Sequence, residues 1–404
     1  MDRSEAASTV TCDSSSARND RAPSDPCSSS NPIHARKSKI MKPLISKLIR
    51  FICILTLMVW AVTPRASAQT APGLGLRFSA GKPTLSLTGA VGTVYSIQYA
   101  TGLSPTNLWV GRTLLQAQGA SNVWSDPSVP APGQRFYRAV SVPAPADTNL
   151  VFIQPGTFTM GSPTSEPYYR QHIVTISRGF WMGKNLVTHG DYLAVVGGNP
   201  SFFTSANGYS DDLNLPVEFV YWFDATNYCA LRTQQERAGG LIPANYAYRL
   251  PTESEWEYAD RAGTTTAFYL GSSLHSGQAN FDGRYEYDSY LGTISNPSGI
   301  QLGQTTPVGS YAANGWGLYD MIGNVWEWCQ DWLGAYPAGT AVDPQGAVAG
   351  EDRAIRGGSW ATEAGVSQSA YRGSTPPMNR GYPEPGVRGD FSVGFRVVLA
   401  PSQP

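Results

Sequence analysis

Glu253 and Glu257 stand four residues apart in Thr252-Glu253-Ser254-Glu255-Trp256-Glu257, so a helix there sets both carboxylates on one face. Two acids held that way could divide the work of a general acid and a general base. The more ordinary role of such a pair is a salt-bridged or solvated helix face. Other reactive side chains are sparse. His34, His172, His189 and His275 show no metal-ligand spacing. The sequence has no His-Glu-x-x-His, no Cys-x-x-Cys, no phosphate-binding glycine loop and no Gly-x-Ser-x-Gly elbow. Of five cysteines, Cys12, Cys27 and Cys53 precede residue 69, which leaves Cys229 and Cys329 for the remainder. Those two pair only if their Cα atoms come within about 7 Å, and otherwise sit as small buried hydrophobes.

The elements that must position these groups begin at local signals. Thr252 and Glu255 form a capping box behind Pro251, and Thr188 with Asp191 forms another before Tyr192, Leu193 and Val195. A longer helix is predicted over 224–237, with Ala225, Tyr228, Cys229 and Leu231 on one apolar stripe. Val151-Phe152-Ile153 reads as a strand leading into Pro155-Gly156, and Ile173-Val174-Thr175-Ile176 is a second β-branched run. Upstream, Leu85-Ser86-Leu87-Thr88, Tyr95 to Tyr99 and Arg135 to Val140 alternate with period two between Gly and Pro clusters. Residues 72–142 are therefore expected to form a small all-β sandwich serving as a spacer or adhesion module, joined by a stiff Pro/Ala linker at 143–147.

Before that module, Lys42, Lys47 and Arg50 precede the apolar run Phe51–Val62, and Ala66-Ser67-Ala68 supplies small residues for cleavage. Residues 41–68 are thus expected to be a signal peptide, with 1–40 disordered or untranslated. The mature chain is expected to be secreted or periplasmic, with no membrane span after signal removal. At 404 residues the chain has room for two cores, and its net charge of −1 without a basic stripe argues against nucleic acid. With 42 Gly and 30 Pro against 15% charged residues, it should be rich in turns and poor in long solvent-facing helices.

Several segments then recur in a specific order. They include Phe152-Ile153-x-Pro155-Gly156-x-Phe158-x-Met160-Gly161, Leu215-Pro216-Val217 and Arg249-Leu250-Pro251-Thr252-Glu253-x-Glu255-Trp256-Glu257-Tyr258-Ala259. Further on come Gly315-x-Gly317-Leu318-Tyr319-Asp320-Met321-x-Gly323-Asn324-Val325-Trp326-Glu327-Trp328, Arg356-Gly357-Gly358-Ser359-Trp360 and Gly394-Phe395-Arg396. Over about residues 148–400 the sequence resembles the formylglycine-generating-enzyme, or sulfatase-modifying-factor, family. The resemblance implies an α+β, C-type-lectin-like fold with little regular structure. Trp256, Tyr258, Trp326 and Trp328 are expected to be core aromatics rather than a ligand cage.

The same resemblance implies an oxidase in which two cysteines bind copper(I) and activate oxygen, converting a substrate cysteine to formylglycine. Those positions fall on Thr362 and near Ser367, and no cysteine follows Cys329. Alcohol oxygens do not suit copper(I), so copper, catalytic residues and formylglycine formation are not expected. The family's calcium would fall on the side chains of Asp320 and Glu327 with the carbonyls of Gly323 and Val325. A second calcium would use Asn280 and Phe281, but its distal acid falls near Ile300. Trp360, Tyr371 and Arg372 are expected contact residues of the groove. The resulting expectation is a non-catalytic exported module that binds a peptide, protein or glycan. The alternative is a divergent oxidoreductase working in protein or metabolite maturation at the same groove.

Overall fold

The computed structural model describes residues 71–104, 108–128, 134–163, 169–379 and 392–402, so the expected leader at 41–68 and residues 1–40 lie outside the described residues. The period-two segments pair as the alternation requires. Strands β1 (Gly73–Ser79), β2 (Lys82–Thr88) and β5 (Asn122–Ser125) make one antiparallel sheet, in the order β1-β2-β5. Strands β3 (Val94–Ala100), β4 (Val110–Gln116) and β6 (Phe136–Val142) make the other, in the order β4-β3-β6. Alternate side chains from both sheets, among them Leu85, Leu87, Tyr95, Ile97, Leu115 and Trp124, close into one core.

After this sandwich the chain changes character. A four-stranded antiparallel sheet runs, in spatial order, through Tyr246–Arg249, Val398–Pro401, Phe180–Gly183 and Leu150–Ile153. A second sheet runs through Gly373–Thr375, Arg353–Arg356, Trp326–Trp332 and Val393–Gly394, its last pair parallel. Helices α1 (His189–Val196), α2 (Trp222–Ala238) and α3 (Glu253–Arg261) pack around them. Both predicted capping boxes close: Thr188 accepts from the Asp191 N–H, and Thr252 from the Glu255 N–H, with each acid answering the cap N–H. The molecule is thus an α+β fold, rich in strands, behind a small β-sandwich.

Helix α2 buries Ala225, Tyr228 and Cys229 as its stripe predicts, but Thr233 is buried where Leu231 is only half-buried. The reason is a hydrogen-bonding task. The Thr233 hydroxyl donates to the Cys229 carbonyl (2.7 Å) and accepts the Tyr248 N–H (2.8 Å), capping the edge of the four-stranded sheet. Trp256 and Trp328 are fully buried and Trp326 nearly so, which makes them core residues. Cys229 and Cys329 are free and buried, packed in different apolar clusters.

Candidate functional site

Helix α3 departs most from its sequence reading, because all nine of its residues are buried. A buried carboxylate must find a cation or give up its charge. Three of the four acids find arginines. Glu253 accepts both Nε and Nη2 of Arg372 at 2.6 Å, and Glu255 accepts both terminal nitrogens of Arg249 at 2.6 and 2.7 Å. Glu257 pairs closely with Arg356 and accepts Arg261 Nε and the Gly161 N–H, each at 2.9 Å. Burial opposes ionisation of Glu253, but Arg372 and Arg356 outweigh it and hold the carboxyl below the usual range. Glu253 and Glu257 are therefore structural ion-pair members, with no free carboxylate pair for acid–base work.

Asp260 is the exception. Its side chain is fully buried, and neither carboxyl oxygen has a partner in hydrogen-bond geometry among the described residues. Burial pushes it up to about 7; Ser369, Arg261 and Arg356 offset only part of that effect, and Glu257 adds to it. Glu218 and Asp331 are also buried acids, each pushed up to about 8 by burial. The sequence reading missed all three. Asp260 carries no local signal, since a helix without a solvent face has no polar stripe from which it could stand apart.

The strand Arg353–Arg356 ends in a turn that only glycines can make. Gly357 and Gly358 have φ of 92° and 74°, and a methyl on Gly357 would lie 3.2 Å from both the Met321 carbonyl and the Trp256 ring. A methyl on Gly358 would collide with the Ser367 hydroxyl and stand 3.1 Å from Thr362 Oγ1. The turn therefore brings the two positions together, five residues apart in sequence. The Thr362 hydroxyl is already committed, accepting the Ser359 N–H (2.8 Å) and donating to the Ser359 carbonyl (3.0 Å). The Ser367 hydroxyl is buried and has no hydrogen-bond partner among the described residues.

The three expected contact residues have different surroundings. Trp360 packs edge-to-face on Phe203, with ring centres 5.4 Å apart. Tyr371 lies 6.2 Å from Trp326 and 6.3 Å from Tyr169. Arg372 is turned inward, since besides Glu253 it donates to the Gly334 carbonyl (2.7 Å) and lies over Tyr336.

The calcium-motif loop is tied to this turn. The Gly323 N–H donates to the Gly357 carbonyl (2.8 Å), and the Trp360 N–H donates to the Asn324 carbonyl (3.1 Å). Asp320 is buried and accepts the Gly309 N–H at 2.7 Å; burial pushes its carboxyl up to about 6. Both Glu327 oxygens accept from Arg396, at 2.6 and 2.8 Å, and the same arginine donates to the Tyr319 carbonyl (2.9 Å). Asn280 is brought alongside, its carbonyl accepting the Asn324 N–H (2.8 Å), while its Oδ1 is buried without a partner. Asn280 Oδ1 is thus an unpaired hard oxygen of the kind calcium takes, whereas both Glu327 oxygens already meet Arg396. Among the described residues no three His, Cys, Asp or Glu side chains converge on one point, so a cation here would rely on carbonyl oxygens.

A strand-rich α+β domain with few helices, crossed by buried arginine–carboxylate pairs and centred on an Arg-Gly-Gly-Ser turn, is the class this geometry defines. Over residues 138–401 the chain matches the sulfatase-modifying factor enzyme 1-like domain, and it belongs to that family, with the formylglycine-generating-enzyme fold. It is 40% identical over 152 residues to a formylglycine-generating enzyme of Streptomyces coelicolor, covering 36% of this chain and 42% of that one. It is 30% identical over 276 residues to the chaperone protein LppX of Paenibacillus barcinonensis, covering 59% of this chain and 88% of that one. Among solved structures, the variable protein 1 of Treponema denticola aligns with a TM-score of 0.47 and 23% identity, covering 66% of this chain and 96% of that one. No helix among the described residues is long and apolar enough to cross a membrane.

Proposed function

We propose that this protein is an exported, non-catalytic member of its family that binds a polypeptide at the surface around the Gly357–Gly358 turn. The observation that carries the reading is the hydroxyl pair. Thr362 and Ser367 meet at the turn where the family's cysteines are expected, and the Thr362 hydroxyl is spent on its own backbone. The remaining thiols offer no substitute, since burial pushes Cys229 up to about 12 and Cys329 upward too, leaving both protonated and unreactive. The Paenibacillus relative, matched over 88% of its length, is named a chaperone, which favours a protein ligand over a glycan. Trp360 and Tyr371 are the contacts this reading uses.

Two assays on the purified chain from Gln69 onward test it. A Cys-x-Pro-x-Arg peptide incubated with copper(I), oxygen and calcium is expected to keep its cysteine by mass spectrometry. An aldehyde product would overturn the non-catalytic reading. In fluorescence anisotropy, a dye-labelled unfolded polypeptide (reduced, carboxymethylated α-lactalbumin) is expected to bind, and Trp360→Ala to weaken it about tenfold, or ~1.4 kcal/mol. Absence of binding by the parent chain would overturn the polypeptide reading.

Calcium belongs to the same proposal, as a structural ion held by Asp320 and Glu327 with the Gly323 and Val325 carbonyls, the Glu327 carboxylate being shared between the ion and Arg396. Asn280 and Phe281 are a second, weaker set without an acid at Ile300. Calcium at about 100 times its Kd should add roughly 2.7 kcal/mol, so a chelator is expected to lower Tm by about 5–10 °C. Asp320→Ala, which removes the side-chain oxygen altogether, should abolish the response. A melting curve indifferent to both calcium and chelator would overturn the site.

A further inference from the structure

The β-sandwich and the domain behind it meet along a seam closed by specific bonds. Trp124 Nε1 donates to the Ser177 carbonyl (3.1 Å), and the Gly179 N–H donates to Thr113 Oγ1 (3.3 Å). The Gln154 side chain and the Gln116 backbone exchange two further bonds, at 2.7 and 3.2 Å. Ser177 is held a second time, since its N–H (2.7 Å) and hydroxyl both donate to Asp343. Gly179 is held by shape, because a methyl there would stand 2.5 Å from the Leu114 carbonyl. Arg178 lies between these two pinned residues, so its backbone position on the seam is fixed.

Beside it opens a cleft of about 430 Å³, lined by Tyr99, Arg112 and Thr113 from the sandwich and by Arg178, Arg249 and Asn245 from the domain, among others. That volume lies within the roughly 300–1,000 Å³ of small-molecule pockets, which favour domain interfaces. The hydrogen-bond accounts in the cleft are lopsided. Its carboxylates are satisfied internally: Glu255 takes Arg249 and the Thr252 N–H (2.9 Å), and Asp343 takes Ser177. The unspent groups are cationic donors. Arg178 makes no hydrogen bond or ion pair among the described residues. Arg112 gives Nη2 to Asp126 (3.0 Å), but its Nε is buried without a partner. A rigid pocket whose free valences are guanidinium N–H groups calls for a planar, anionic acceptor.

We propose that the seam binds a compact hydroxylated carboxylate, the size of a sugar acid, held by Arg178 and the Nε of Arg112. The amides and hydroxyls of Asn245, Gln345, Ser402 and Ser96, which also line the cleft, suit its hydroxyl groups. This site shares no lining residue with the turn at Gly358, so either proposal can fail without the other.

The test is titration calorimetry of the chain from Gln69 onward with D-glucuronate, using D-glucose as the neutral control. Glucuronate is expected to bind and glucose not to. Arg178→Ala, at an exposed position and so harmless to folding, should weaken binding at least about tenfold. Arg112→Lys, which can keep the Asp126 ion pair but lacks the Nε donor, should weaken it too. The idea is overturned if glucuronate gives no more heat than glucose, or if Arg178→Ala binds it as well as the parent does.

Discussion

Arg396→Ala is expected to remove about 3–5 kcal/mol of stability, enough to unfold much of the protein at 37 °C. The side chain is fully buried, and among the described residues the Glu327 carboxylate is met by its Nε and Nη2 alone. Without the guanidinium, Glu327 would keep a charge in the interior that no other cationic side chain among the described residues meets. The Gly183 and Tyr319 carbonyls, which now accept from Arg396, would lose that donor as well. Arg372→Ala is the contrast: Glu253 would lose a bidentate partner yet retain Arg356, 3.2 Å away, so its loss should be smaller. Urea unfolding followed by tryptophan fluorescence reads both. Arg396→Ala within about 1 kcal/mol of the parent would mean that Glu327 finds another cation or takes up a proton.

Asp260→Asn should stabilise the protein at pH 8.5 and do little at pH 4. Burial pushes the folded carboxyl up to about 7 from an ordinary 3.8, outweighing Ser369 and the arginines. A group whose folded value is raised gives its full stability below the unfolded value and loses it as pH climbs through the folded one. The loss therefore accumulates between about pH 4 and 7 and then levels off. A shift of about three units corresponds to roughly 4 kcal/mol, so a gain of about 2–4 kcal/mol is expected from the neutral amide at high pH. Glu218 and Asp331, both raised to about 8, push the parent the same way, so its own stability should decline from pH 5.5 to 8.5. Parallel stability–pH curves for parent and Asp260→Asn would show that Asp260 is ionised and paired in the fold.

What the sequence makes legible here is what depends on near neighbours. The capping boxes at Thr188 and Thr252 involve residues three apart, and both close as read. The alternating runs Leu85–Thr88 and Tyr95–Tyr99 lie inside strands whose inner faces form the sandwich core. The motif string from Gly315 to Trp328 places the family, and the glycines at 357 and 358 do adopt positive φ. What stayed hidden depends on distant partners. Spacing puts Glu253 and Glu257 on one face but cannot say that Arg372 and Arg356, about a hundred residues on, will neutralise them. The hairpin Tyr285–Asp288 with Gly292–Ser295 lies in a stretch for which no strand is expected from local pattern. The seam arginines are invisible for the same reason, since Arg112 and Arg178 line one cleft although 66 residues apart in sequence.

The bonds along that seam also say something about cutting. Pro143 to Ala146 joins the sandwich to the rest by covalent chain, but Trp124, Thr113, Gln116 and the packing of Leu114 and Val94 with Trp181 join them a second time. A protease nick in the linker would break the polypeptide without parting its halves, and the nicked molecule would travel as one particle until denatured. Deleting the sandwich outright does something different: it uncovers Trp181 and strips Gly179 of its partner. A fragment started at the linker would then carry a raw, adhesive face, whatever its own fold is capable of.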